Sequence, residues 1–282
     1  MKVDSHQHYW EYSAEEYAWI TDDLKEIKQS FLATDSKQEM DKLGFDYAVA
    51  VQARQSLVEN DFLLKLSEDN EHIAGVVGWL DLKSSALDKQ LEQYASHPNF
   101  VGVRHIVQDE PDINFLIQPD FVDGVKKLEE HNLAYDILIF EKHLEVAEKF
   151  VQQLPNHRLV IDHIAKPAGI SKREIENWAK GIKALAKYEN VSCKLSGLPT
   201  EADWKTWKNS DFLPYLEVVL EAFGAKRLMI GSDWPVCKLA ATYQQTMNIV
   251  LEFISKLSKQ EQELITGKNA IDFYQLPITS LS

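Results

Sequence analysis

Eight short apolar segments, each followed by a helix-patterned stretch, recur along almost the whole chain, and this alternation leaves few folds open. The strand-like segments cover residues 3–8, 47–52, 73–80, 100–106, 133–139, 158–163, 191–196 and 227–232. Helical spacing of apolar residues fills the intervals at about 36–43, 58–70, 86–97, 121–131, 144–153, 175–188 and 212–223. Two or three further helices are predicted between Ala240 and Tyr274. Strands that alternate with helices pair in parallel, because each helix carries the chain back to the edge where the next strand starts. Eight of them predict an α/β fold closed into a (β/α)8 TIM barrel. The open, doubly wound alternative lacks support, since no Gly-x-Gly-x-x-Gly follows an early strand. No linker or low-complexity stretch interrupts the pattern, so residues 1–282 read as a single domain with extra C-terminal helices. Ser36-x-x-Glu39, Ser171-x-x-Glu174 and Ser258-x-x-Glu261 are predicted capping boxes, and Gly44 and Gly224 predicted helix stops.

Charge narrows the partners. Thirty Lys and Arg against 44 Asp and Glu leave a formal charge of −14. Such a surface argues against nucleic acid and anionic membranes, but not against a small anion in a locally basic pocket. Two cysteines, Cys193 and Cys237, make no disulfide framework, and no apolar run reaches the length of a membrane span. The N-terminus enters a strand without a signal-like segment. The expectation is a cytoplasmic protein acting on a small molecule, with a homodimer left open. The loop from Tyr9 to Phe31 is long and carries Tyr9, Trp10, Tyr12, Tyr17 and Trp19. Two roles are open to it: a lid or substrate wall, or packing over the barrel end or at a subunit interface.

Barrels of this kind carry reactive groups at the C-terminal ends of their strands. His6 and His8 stand two residues apart on the first, a spacing that aims both imidazoles at one point. The later strand ends contribute Gln52 and Arg54, Trp79 and Asp81, Arg104 and His105, His163 followed by Lys166, Lys194 and Ser196, and Asp233. Strict alternation turns Asp162 toward the helices, away from this set. Polar groups at nearly every strand end describe a polar crater, too costly to bury uncompensated in a purely structural protein.

Three motifs carry a resemblance. His6-x-His8, Asp162-His163-x-x-Lys166-Pro167 and Gly231-Ser232-Asp233-Trp234-Pro235 resemble the amidohydrolase superfamily, and within it the sugar-acid lactonases and pyrone-dicarboxylate lactonases. The opening Asp4-Ser5-His6-Gln7-His8-Tyr9-Trp10, with Tyr17-Ala18-Trp19-Ile20, is similar to the L-fuconolactonases and L-rhamnonolactonases in particular. Binuclear members of the superfamily add a bridging lysine or glutamate and histidines on strands five and six. Here strand four ends in Arg104-His105 and strand five in Asp136-Ile137-Leu138-Ile139. The resemblance therefore implies at most one divalent ion, zinc by its donor set, on His6, His8, His163 and Asp233. Metal-free catalysis is the alternative that the pyrone-dicarboxylate lactonases allow.

The chemistry that the resemblance implies is water attack on a lactone carbonyl. Asp233 would be the general base, with His163 as a ligand or hydrogen-bond donor. Arg104, Lys194, Trp79, Trp10 and Gln52 would bind substrate. Structural pairings compete with two of these roles: Arg104 with Asp136, and Lys194 with Asp233. Two other functions remain open, a metal-dependent decarboxylase of a related branch and a catalytically silent barrel that binds a sugar acid.

Overall fold

The computed structural model describes residues 1–170 and 174–278. Its strands are β1 (Val3–Gln7), β2 (Tyr47–Val51), β3 (Ile73–Gly78), β4 (Phe100–Ile106), β5 (Ala134–Leu138), β6 (Leu159–Ile161), β7 (Val191–Leu195) and β8 (Leu228–Ile230). Each pairs in parallel with the next. The chain beyond β8 returns to β1. Gln7 and Trp234 form a parallel bridge, the Asp233 N–H donates to the His6 carbonyl at 2.9 Å, and the His8 N–H donates to the Trp234 carbonyl at 2.6 Å. The result is the (β/α)8 barrel that the alternation predicts.

Among the described residues seven α-helices occupy the intervals: α1 (Ala33–Leu43), α2 (Leu57–Asp69), α3 (Leu87–Tyr94), α4 (Pro119–Glu130), α5 (Leu144–Val151), α6 (Glu176–Leu185) and α7 (Asn209–Phe223). After β8 come α8 (Tyr243–Ile254), α9 (Lys259–Glu263) and α10 (Asn269–Tyr274). None of the described helices is long and apolar enough to cross a membrane. One apolar layer lies between strands and helices. A second fills the barrel itself, where Val3, Val49, Val77, Val101 and Ala134 pack against Ala270, Tyr274 and Leu276. Several of these strand residues open their strands, so the C-terminal segment plugs the N-terminal end of the barrel and the opposite end is left to polar groups.

Local signals hold only in part. Gly44 and Gly224 follow α1 and α7 at φ +67° and +65°, and Ser258 and Glu261 cap α9 reciprocally. The box at Ser36 does not form. α1 starts earlier, with Asp35 accepting from the Leu32 N–H at 2.9 Å, and Ser36 lies inside the helix and donates to the Ala33 carbonyl. A neighbouring carboxylate able to reach back to its own N-cap defines the start instead. Ser171 lies outside the described residues.

The aromatic loop packs over the barrel end. Trp10 and Phe31 exchange backbone hydrogen bonds at 3.0 and 2.9 Å, and the Phe31 ring stands edge-on to Trp234, 5.4 Å between centroids. Tyr9, Trp10 and Tyr17 are all buried in this arrangement.

Candidate active site

The site begins where β1 meets the end of β8. Asp4 is buried and accepts from the backbone N–H of Ser232 at 2.8 Å and from the Gln7 amide at 2.7 Å, which locks the two chain ends together. Gly231 makes room for His6, because a Cβ there would stand 2.9 Å from the His6 Cβ. His6 and His8 then project side by side, with their Nε2 atoms 3.2 Å apart. Asp233 Oδ1 lies 3.1 Å from His8 Nε2 and 3.8 Å from both His6 Nε2 and His163 Nε2. All four of these strand-end residues thus converge on one point, almost shut off from solvent.

His163 arrives by an unusual route. β6 ends at Ile161, and His163, Ile164, Ala165 and Lys166 all have positive φ, from +45° to +60°. Left-handed backbone costs an L-residue about 1–2 kcal/mol, more for a β-branched side chain such as Ile164. Such a run persists only where its surroundings over-determine it. Its effect is to swing the His163 imidazole into the barrel, where Nδ1 meets the Ser196 hydroxyl at 2.8 Å.

That turn also corrects the reading of Asp162. Strict alternation assigns Asp162 and His163 to opposite faces, but the strand has ended and both point inward. Asp162 shares the inward face of Val160, which is in register with Asp136 and Ser192. It lies 3.0 Å from Arg104 Nη1, 3.0 Å from Lys194 Nζ and 3.4 Å from His6 Nδ1.

Lys194 is placed differently from a substrate-binding residue. Its ammonium has three donors, and three groups surround it: Asp136 Oδ2 at 2.5 Å, Asp162 Oδ1 at 3.0 Å and His6 Nδ1 at 3.0 Å. The side chain has no exposed surface, so its charge is taken by these groups rather than by a ligand. Its partners are thus Asp136 and Asp162 rather than Asp233. Tyr274, from the end of α10, donates to Asp136 from below, 2.9 and 2.8 Å from its two carboxylate oxygens. Arg104 is in register with Asp136 yet reaches Asp162 instead. Its Nη1 also stands 3.2 Å from His6 Nε2, its Nη2 donates to the Gln52 carbonyl, and its Nε is buried without a partner.

The remaining candidates divide. The buried Gln52 amide donates to the Arg104 carbonyl at 3.2 Å, and its Oε1 has no partner. Trp79 is half-buried at the end of β3 and donates its indole N–H to His105 Nδ1 at 3.3 Å; His105 in turn meets Glu110 at 2.6 Å. Trp10 is fully enclosed and donates to the Gln29 carbonyl, so a ligand could touch it only if the aromatic loop moved. A roomy surface cleft, about 910 Å³ beside α5 and α6, is lined by Glu145, Glu148, Lys180 and neighbours and contains no histidine. Chemistry rather than size locates the site.

Burial and neighbouring charge set the protonation states. Burial, reinforced by the Lys194 ammonium, holds the His6 imidazolium far below its usual range. Burial likewise lowers His163 to about 4, against the pull of Asp233. Burial alone would raise Asp233, but His163, His8 and His6 more than offset it and keep its carboxyl well below the usual range. At neutral pH the site combines an ionised Asp233 with neutral His6 and His163.

The donor set fits a divalent ion. Three imidazole nitrogens and one carboxylate oxygen form a zinc-type set, and ligand atoms of a tetrahedral zinc site stand roughly 3.3 Å apart given bonds of about 2.0–2.1 Å. Asp233 lies 3.1–3.8 Å from each of the three imidazoles and His6 lies 3.2 Å from His8, while His6, His163 and Asp233 offer ligand atoms within 4.8 Å of one another. His8 Nδ1 donates to the Val51 carbonyl at 2.8 Å and Nε2 faces an Asp233 oxygen at 3.1 Å, so that a neutral His8 sets an Nε2 lone pair opposite that oxygen. Two acceptors held face to face are satisfied by a shared cation. His6 Nδ1 has both a donor, Lys194, and an acceptor, Asp162, beside it; Asp162 is the partner that takes the Nδ1 proton when Nε2 is a ligand.

The chain is 37% identical to an L-fucono-1,5-lactonase of Burkholderia multivorans, across 98% of the chain and 97% of the relative. It is 35% identical to an L-fucono-1,5-lactonase of Burkholderia ambifaria, across 86% of the chain and 83% of the relative. A crystal structure of an amidohydrolase from Burkholderia multivorans with bound zinc superposes with a TM-score of 0.95, at 37% identity, covering 98% of this chain and 100% of that one. The amidohydrolase family pattern matches residues 3–276, and the chain belongs to that family.

Proposed function

We propose that this protein hydrolyses a sugar-acid lactone of the aldonolactone class, such as L-fucono-1,5-lactone. The observation that carries the reading is the convergence of His6, His8, His163 and Asp233 in a chain 37% identical over nearly its whole length to an L-fucono-1,5-lactonase. Lactone opening needs a polarised carbonyl, a deprotonated water and a protonated leaving oxygen. Asp233 is ionised and takes the proton from water as general base, then delivers it to the departing ring oxygen. A divalent ion, zinc by its ligands, supplies Lewis acidity when bound by His6, His8, His163 and Asp233. Arg104, whose buried Nε–H has no partner in the protein, is the cation that stabilises negative charge as it develops on the carbonyl. His163 is held in orientation by Ser196. The indole of Trp79, fixed by His105, forms a wall for the sugar ring.

The test is acid release from a panel of aldonolactones, followed with a pH indicator, with and without chelator. Turnover of L-fucono-1,5-lactone or a close stereoisomer supports the reading. No acid from any lactone, or carbon dioxide from a hydroxybenzoate, overturns it. Retained activity after complete chelation keeps the lactonase and assigns catalysis to the side chains alone.

A further inference from the structure

Behind His6 lies a second cluster of metal-type donors. His6, Asp136 and Asp162 each present a ligand atom, and these atoms lie within 4.8 Å of one another. They do not enclose a void. The Lys194 ammonium sits between them, 3.0 Å from His6 Nδ1, 2.5 Å from Asp136 and 3.0 Å from Asp162. Four groups, one of them cationic, are fully buried together, and Tyr274 fixes the Asp136 carboxylate from the barrel floor.

We propose that Lys194 is a positioning residue that acts as a tethered cation, occupying the place a second divalent ion would otherwise take. Several observations carry this. Its ammonium donates to Asp136 Oδ2, forms an ion pair with Asp162 Oδ1 at 3.0 Å and stands 3.0 Å from His6 Nδ1. Two buried carboxylates need positive charge close by, and a cation held on the chain supplies it without drawing on solution metal. A zinc ion takes oxygen and nitrogen ligands at about 2.0–2.2 Å, so the three donors would close in by about 1 Å or less to receive one. The same ammonium is held against His6 and sets the position of that ring. The chain is thereby committed to a single ion on the Nε2 side of His6, and the inference is independent of which substrate is turned over.

The experiment compares the native protein with Lys194→Ala and Lys194→Met. Alanine removes both the charge and the bulk; methionine removes the charge but keeps the space filled. Each protein is equilibrated with zinc, dialysed and analysed for metal per chain, with thermal midpoints recorded in zinc and in chelator. Lys194→Ala is expected to bind one equivalent more than the native chain and to gain more thermal stability from zinc. Ligation of that ion by His6 Nδ1 while Nε2 holds the first releases the ring proton to solvent. Lys194→Met is expected to keep the native stoichiometry. Equal metal content in the native and alanine proteins overturns the proposal, as does an equal gain in the methionine variant. If the alanine variant does not fold without metal, refolding with zinc decides: recovery supports the proposal and failure overturns it.

Discussion

Gly197 lies against the imidazole of His163, and a Cβ on Gly197 would fall 2.7 Å from both Cγ and Nδ1 of that ring. Gly197 also has φ +64°, where an L side chain costs about 1–2 kcal/mol. Gly224 has nearly the same φ, +65°, but a Cβ there would meet nothing within 4 Å. The pair separates strain from displacement. Gly197→Ala is expected to lower both the thermal midpoint and kcat, the latter by tenfold or more, because His163 must shift. Gly224→Ala should lower the midpoint alone. Equal activity in the two variants would show that the position of His163 does not matter.

Asp233→Asn preserves size and removes the base. General-base catalysis contributes about 10²–10⁴-fold, so kcat should fall by that order while the fold is retained. Zinc content must be measured on the same preparation, since Asp233 is also a candidate ligand. A folded Asn variant with near-native turnover would rule out Asp233 as base.

Arg104→Met should lower kcat/KM by about 10²-fold, the order lost with one oxyanion donor. The shape of the pH–rate profile should not change, because a guanidinium does not titrate in the working range. Asp162 loses one of its two cationic partners in this variant, so the assay belongs well below the variant's thermal midpoint. Loss of one limb of the profile would contradict a binding role.

His157 offers a test of pH-dependent stability away from the site. It is buried, both ring nitrogens lack partners, and burial together with Arg158 lowers it from 6.5 to about 4. Its folded-state value is depressed, so the unfolded chain binds the proton more readily. Stability is therefore fully present above about pH 6.5 and is lost as the pH falls toward 4, by up to about 3 kcal/mol. His157→Phe should flatten that slope in denaturant titrations between pH 7 and 4. An unchanged slope would mean that His157 is not the titrating group.

The barrel and the residues that converge at its mouth are legible in the sequence because they follow simple periodicities. Strand and helix periods alternate eight times, and His6, His8 and Asp233 close strands where such folds place reactive groups. What lies behind them is not legible. Asp162 escapes the pattern because alternation holds only while the strand continues, and β6 stops at Ile161. Lys194 stands at a promising strand end, but only its three partners show that its charge is spent inside. Tyr274 carries no signal at all, since it reaches Asp136 from a helix 138 residues away. Ser36 and Asp35 show the same limit locally: two side chains compete to start a helix, and the sequence pattern favours the wrong one.

The closure between the first and eighth strands governs when a reactive centre can exist. His8 and Asp233 are 225 residues apart, and the floor that steadies Asp136 comes later still. At a synthesis rate of about 5–20 residues per second, on the order of ten to fifty seconds separate the making of these two groups. Through that interval the Nε2 atoms of the β1 histidines lack Asp233 opposite them, so a chain truncated before the eighth strand lacks the proposed base however much of its outer layer has packed.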